Sequence, residues 1–145
     1  MMKRAMVLLL LASLSLAGSP VEAAAGRAPV NARAQALSRA ILGTWQLVWP
    51  EVPADERELK LITPTHFTWT TWKTTTHQVL ATGGGPYTLV GSDYCEQVSF
   101  ALGGVENVAG QVLCFEVQVK GDTLLQIGPR GPDGGRSREV WKRVR

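Results

Sequence analysis

The stretch YCEQVSFALGGVENVAGQVLCFEVQVK, residues 94–120, decides the fold. Side chains on a β-strand alternate with a period of two, so the first part places Tyr94, Glu96, Val98 and Phe100 on one face and Cys95, Gln97 and Ser99 on the other. The last part repeats the pattern, with Leu113, Phe115, Val117 and Val119 opposed to Val112, Cys114, Glu116 and Gln118. Between them, ALGGVENVAG (residues 101–110) is glycine-rich and suits a hairpin connection. Two features of this hairpin need explanation. Its apolar face carries a carboxylate, Glu96, and its polar face carries both cysteines of the chain. An antiparallel register exists that sets Cys95 opposite Cys114, within reach of a disulfide.

The compartment follows from the N-terminal residues. Lys3 and Arg4 precede an apolar run from Ala5 to Leu16 and then small residues, the layout of a secretory signal peptide. The run is shorter than the roughly 20 residues of a spanning helix. Val21-Glu22-Ala23 suits signal peptidase, with cuts after Ala17 or Ala25 as alternatives, so residues 1–23 are expected to be a signal peptide. Leu16-Ala17-Gly18-Ser19 has the outline of a lipoprotein site without its cysteine, so no lipid anchor is expected and the protein should be periplasmic or secreted. Two cysteines in a short exported chain are expected to pair, Cys95 with Cys114.

Without Lys3, Arg4 and Glu22, the 15 basic and 12 acidic residues fall to 13 and 11, a net charge of +2. The basic residues are scattered, which excludes a nucleic-acid footprint; only residues 136–145 are locally basic, and a solvated terminal strand accounts for them.

Elsewhere the pattern is almost entirely strands. Residues 32–42 read as a short helix, with Asn31 available as its N-cap and Gly43 as its stop. Strands are expected over 43–50, 58–62, 66–72, 76–81, 86–90, 94–101, 111–120, 122–128 and 137–144. Turn signals separate them at Thr63-Pro64, at GGGP (83–86), at Gly91-Ser92, at Gly121-Asp122 and at GPRGPDGG (128–135). Eight to ten short strands at this spacing indicate an all-β antiparallel barrel or sandwich in one domain.

A short helix leading into Gly43-Thr44-Trp45, with Arg143 in the closing strand, resembles the lipocalin and calycin pattern. KLITPTHFTW (60–69), GGGPYTL (83–89), YCEQVSF (94–100), VKGDTL (119–124) and EVWKRV (139–144) extend the resemblance to small lipocalin-like domains of exported bacterial proteins. It covers most of the chain after Leu42 and departs from the pattern in the two cysteines and the 128–135 loop. It implies an up-and-down β-barrel over residues 43–145, preceded by an N-terminal segment and short helix over 24–42. Trp45 and Arg143 would then be structural, the guanidinium covering the indole at the closed end.

A barrel makes Glu96 an inward carboxylate, which is costly unless partnered. Candidate partners are His66, Tyr87, Tyr94 and Arg143, with Lys60 behind them. If Phe67 and Trp69 point in, His66 points out unless a bulge follows Pro64. Three readings stay open. Glu96 could belong to a satisfied structural network. Alternatively, the lumen receives a small apolar or amphipathic molecule, with Phe67 and Trp69 supplying area (Trp72 beside them) and Glu96, His66, Tyr87 and Tyr94 orienting its polar head. The third is an enzyme using Glu96 and His66 as acid and base, for which no nucleophile motif is present. A different class, a secreted protease inhibitor acting through residues 24–34 or the 128–135 loop, is also compatible. No cofactor, metal, nucleic acid or stable membrane anchor is expected, and the protein is expected to be a monomer.

Overall fold

The computed structural model describes residues 30–130 and 136–145. The expected signal peptide and the tip of the 128–135 loop lie outside the described residues, as does most of the expected N-terminal segment. Helix α1 (Val30–Ala40) precedes nine strands: β1 (Gly43–Trp49), β2 (Glu56–Ile62), β3 (His66–Lys73), β4 (Val79–Val90), β5 (Asp93–Gln97), β6 (Phe100–Leu102), β7 (Val112–Lys120), β8 (Thr123–Arg130) and β9 (Arg136–Arg143). The helix starts before Asn31, which therefore lies inside it and not at its N-cap. All ladders are antiparallel. The order β3-β2-β1-β9-β8-β7-β5-β4 is closed by β3 pairing with β4, which makes an eight-stranded barrel. The three-residue β6 pairs with the first half of β4 and prolongs the line of β5 after a break at Val98-Ser99.

The expected turn at 83–86 is instead the middle of one long strand, β4. Its glycines serve close approach. A Cβ on Gly83 would lie 2.0 Å from the Trp69 ring, and one on Gly85 would lie 2.0 Å from the Gln97 carbonyl oxygen at the β5–β6 break. Glycine composition signals a turn and a crowded strand alike, and the space that the Trp69 ring occupies is a tertiary fact.

The two ends of the barrel differ. Helix α1 and the turns at 63–65, 91–92 and 121–122 lie at one end, which is filled. Trp45, fully buried, donates its indole N–H to the Ile41 carbonyl (2.8 Å), fixing α1 over the barrel. The Arg143 guanidinium stacks on Trp45 at 4.1 Å and donates to the carbonyls of Leu42 and Ala40, both at 2.7 Å. It therefore caps the C-terminus of α1, where carbonyls are otherwise unsatisfied, as well as covering the indole. Gly43 completes the motif: its φ is +129°, and a Cβ there would meet the guanidinium at 2.6 Å. Only glycine accommodates both constraints. Arg143→Ala removes the stacking and both caps, so it is expected to lower stability by about 1–3 kcal/mol in urea denaturation with ligand affinity unchanged. An effect confined to binding would contradict this placement.

Cys95 and Cys114 are bonded across the β5–β7 ladder and face outward. The core is formed by inward residues of every long strand, among them Ile62, Phe67, Tyr94, Val117, Leu124 and Trp141. No helix among the described residues is long and apolar enough to cross a membrane.

Candidate functional site

At the end opposite α1, the lumen is polar. Strand β2 turns Glu58, Lys60 and Ile62 inward, which puts Lys60 deep in the barrel at 4% exposure. Its ammonium donates to Glu96 Oε1 at 2.8 Å and to Gln126 Oε1 at 3.0 Å. It also lies 4.7 Å from the Trp141 ring centroid and 5.7 Å from that of Phe115. Glu96 and Gln126 are as buried as Lys60. The partner of Glu96 is thus Lys60, the candidate that sequence reasoning placed last, and Gln126 was not singled out at all. The reason is visible in the two strands. ELKLI has Leu59 and Leu61 on one face and TLLQIG has Leu125 and Ile127, so alternation favours turning the leucine faces inward. Barrel closure puts these leucine faces outside and the mixed faces inside.

Above this group lies a cavity of about 180 Å³ lined by Glu58, Lys60, Trp69, Glu96, Val105, Val108, Leu113, Phe115, Glu139 and Trp141. Val105 and Val108 come from the β6–β7 connection, where a 3₁₀ turn (Glu106–Val108) folds over the rim. The Glu106 carboxylate accepts the amides of Gly103 (3.1 Å) and Gly104 (3.2 Å), which fixes this flap. The two remaining carboxylates are oriented by hydrogen bonds but form no ion pair among the described residues. Glu58 accepts from the Thr71 hydroxyl (3.2 Å), and Glu139 accepts from the Trp141 indole N–H (3.1 Å). Among the described residues no Lys or Arg forms an ion pair with either, and the rim lysine, Lys73, is engaged with Asp55 and Glu56. Burial pushes the Glu58 carboxyl above the usual carboxylate range, and the charges of Glu139 and Glu96 add to the rise while Lys60 opposes it.

The residues expected at the site divide into three groups. Glu96 and Trp69 line the cavity. Phe67, Tyr87 and Tyr94 point inward but lie in the packed part of the lumen. Phe67 stacks on Trp69 (6.0 Å between centroids), and Tyr87 donates its hydroxyl to the Thr63 carbonyl at 2.8 Å, beside Tyr94 at 4.9 Å. Tyr94 is fully buried, and burial, followed by the charge of Glu96, pushes its phenol far above the ordinary value. Among the described residues its hydroxyl has no hydrogen-bond partner, and neither has Gln126 Nε2. His66 is exposed, with Nδ1 2.9 Å from the Thr65 hydroxyl, and lines an outer groove with Leu61, Pro86 and Phe100. Glu96 and His66 therefore stand on opposite sides of the barrel wall, and the arrangement does not join them as an acid–base pair.

Among the described residues, no three His, Cys, Asp or Glu side chains converge closely enough to hold a metal ion. No protein-family model matches the chain, and no curated protein matches it with significance. The fold defines its class directly: a closed, eight-stranded antiparallel β-barrel with a disulfide and one short helix before the first strand, consistent with a lipocalin-like fold.

Proposed function

We propose that the protein is an exported lipocalin-like barrel that binds a small amphipathic molecule in the cavity at its open end. The observation that carries this reading is the difference between the ends of the lumen. One is packed by Trp45, Ile41 and Arg143, whereas the other keeps a hollow of about 180 Å³ walled by Trp69, Trp141, Phe115 and Leu113 and edged by carboxylates. Aromatic area with a few fixed polar groups is the usual make-up of a small-molecule site. The hollow is small, about 180 Å³, which suits a single-ring or short-chain compound. Its apolar body would lie on Trp69 and Phe115 under Val105 and Val108, and its polar end would face Glu58 and Glu139. The outward disulfide and the N-terminal pattern support export.

Two of the five tryptophans line the cavity, so binding should be read in intrinsic emission. Titration with phenethylamine and 2-phenylethanol is expected to shift that emission saturably for at least one of them. Trp69→Ala should weaken binding about tenfold or more through lost contact area, whereas Val79→Ser on the exposed outer surface should leave it unchanged. An emission spectrum that ignores every such compound removes the reading.

A further inference from the structure

We infer that the polar end of the ligand is a positively charged amine, held between Glu58 and Glu139 over the aromatic wall; the inference rests on the cavity being a ligand site. The charge balance points this way. Three carboxylates (Glu58, Glu96 and Glu139) and one ammonium (Lys60) face the hollow. Lys60 is committed to Glu96 and Gln126, and among the described residues no cation forms an ion pair with Glu58 or Glu139. Charge in a half-buried site is weakly screened, so the hollow attracts a cation and repels an anion.

The walls add a separate argument. The Trp141 and Phe115 rings already take one ammonium, that of Lys60, near their faces. Trp69 supplies a third aromatic surface in the same hollow, and aromatic walls combined with carboxylates suit organic ammonium groups. Because no three carboxylates converge on a point among the described residues, the arrangement fits a bulky organic cation and not a metal ion.

The test compares three probes of one shape by calorimetry at pH 7 and low salt: phenethylamine, 2-phenylethanol and phenylacetate. The amine is expected to bind at least tenfold more tightly than the alcohol, and phenylacetate more weakly than either. Glu58→Gln with Glu139→Gln should erase the amine's advantage, weakening the amine at least tenfold and the neutral alcohol by less. Thermal denaturation shows that the variants fold and reports independently on the site. Folded Glu58 holds its proton more tightly than the unfolded chain does, so its contribution to stability is lost as pH rises from the ordinary carboxylate value through the raised one. Glu58→Gln is accordingly expected to raise the melting temperature at pH 7 while lowering amine affinity, a combination that a structural role does not produce. An alcohol that binds as tightly as the amine, or a phenylacetate that binds more tightly, overturns the cationic assignment and leaves the cavity as a ligand site. Binding of none of the three overturns both.

Discussion

Lys60→Met is expected to lower the stability of the barrel by about 3–5 kcal/mol, the range for breaking a buried ion pair by removing one partner. The cost is not the loss of an attractive contact alone. Glu96 is 3% exposed and its oxygen faces the Lys60 ammonium at 2.8 Å, so without Lys60 a carboxylate remains charged in a nearly dry layer, or must take up a proton to stay there. The Gln126 carbonyl oxygen loses its donor as well. The double replacement Lys60→Met with Glu96→Leu separates these terms, because it deletes both charges and fills the space with apolar volume. It should recover most of the loss and leave a deficit of about 1–3 kcal/mol for the neutral Gln126 amide, now without a partner. Urea denaturation with unchanged m-values gives the comparison directly. A single Lys60→Met variant within 1 kcal/mol of the parent would show that Glu96 has another partner or is not buried.

Opening the disulfide has the second largest expected effect. Cys95 and Cys114 are 19 residues apart, and a crosslink closing a loop of that size stabilises by about 3 kcal/mol, chiefly by restricting the unfolded chain. Reduction, or Cys95→Ser with Cys114→Ser, should cost about that much without unfolding the protein, since the β5–β7 ladder pairs all five residues of β5. A further consequence concerns the cavity. The segment between the two cysteines carries Glu96, Val105, Val108 and Leu113, so both the flap and part of the wall are tethered by this one bond. The reduced protein is expected to bind phenethylamine more weakly and to exchange the amides of residues 103–110 faster. Reduced protein with unaltered stability and unaltered flap exchange would contradict this role.

How far the sequence could be read depended on whether a strand's two faces differ in composition. In β5 and β7 they do, and from these strands came the hairpin, the facing cysteines and the inward direction of Glu96. The contact of Trp45 with Arg143 was legible through the resemblance of Gly43-Thr44-Trp45 and the closing strand to a lipocalin-like pattern. In β2 and β8 both faces carry aliphatic residues, so alternation did not mark the faces of Lys60 and Gln126 as the inward ones. The glycines of β4 carried no mark distinguishing a turn from a strand that must pass a tryptophan ring. The direction of His66 followed from parity, once Phe67 and Trp69 were seen to point inward without a bulge after Pro64. The cavity itself was the least legible element. Its lining comes from five strands and the flap, and Glu58, Lys60 and Glu139 converge only because β2 and β9 both pair with β1.

The central claim, that the open end of the lumen is a binding site, is tested most directly by the five tryptophan indole N–H resonances in a nitrogen–proton correlation spectrum. Trp69 and Trp141 line the cavity, Trp45 is packed at the closed end, and Trp49 and Trp72 do not line it. Addition of phenethylamine is predicted to move the Trp69 and Trp141 resonances along saturating curves, Trp141 the more strongly because its N–H donates to Glu139. The Trp45 resonance should stay fixed. Five stationary resonances at saturating amine, or movement confined to Trp45 or Trp49, would contradict the account.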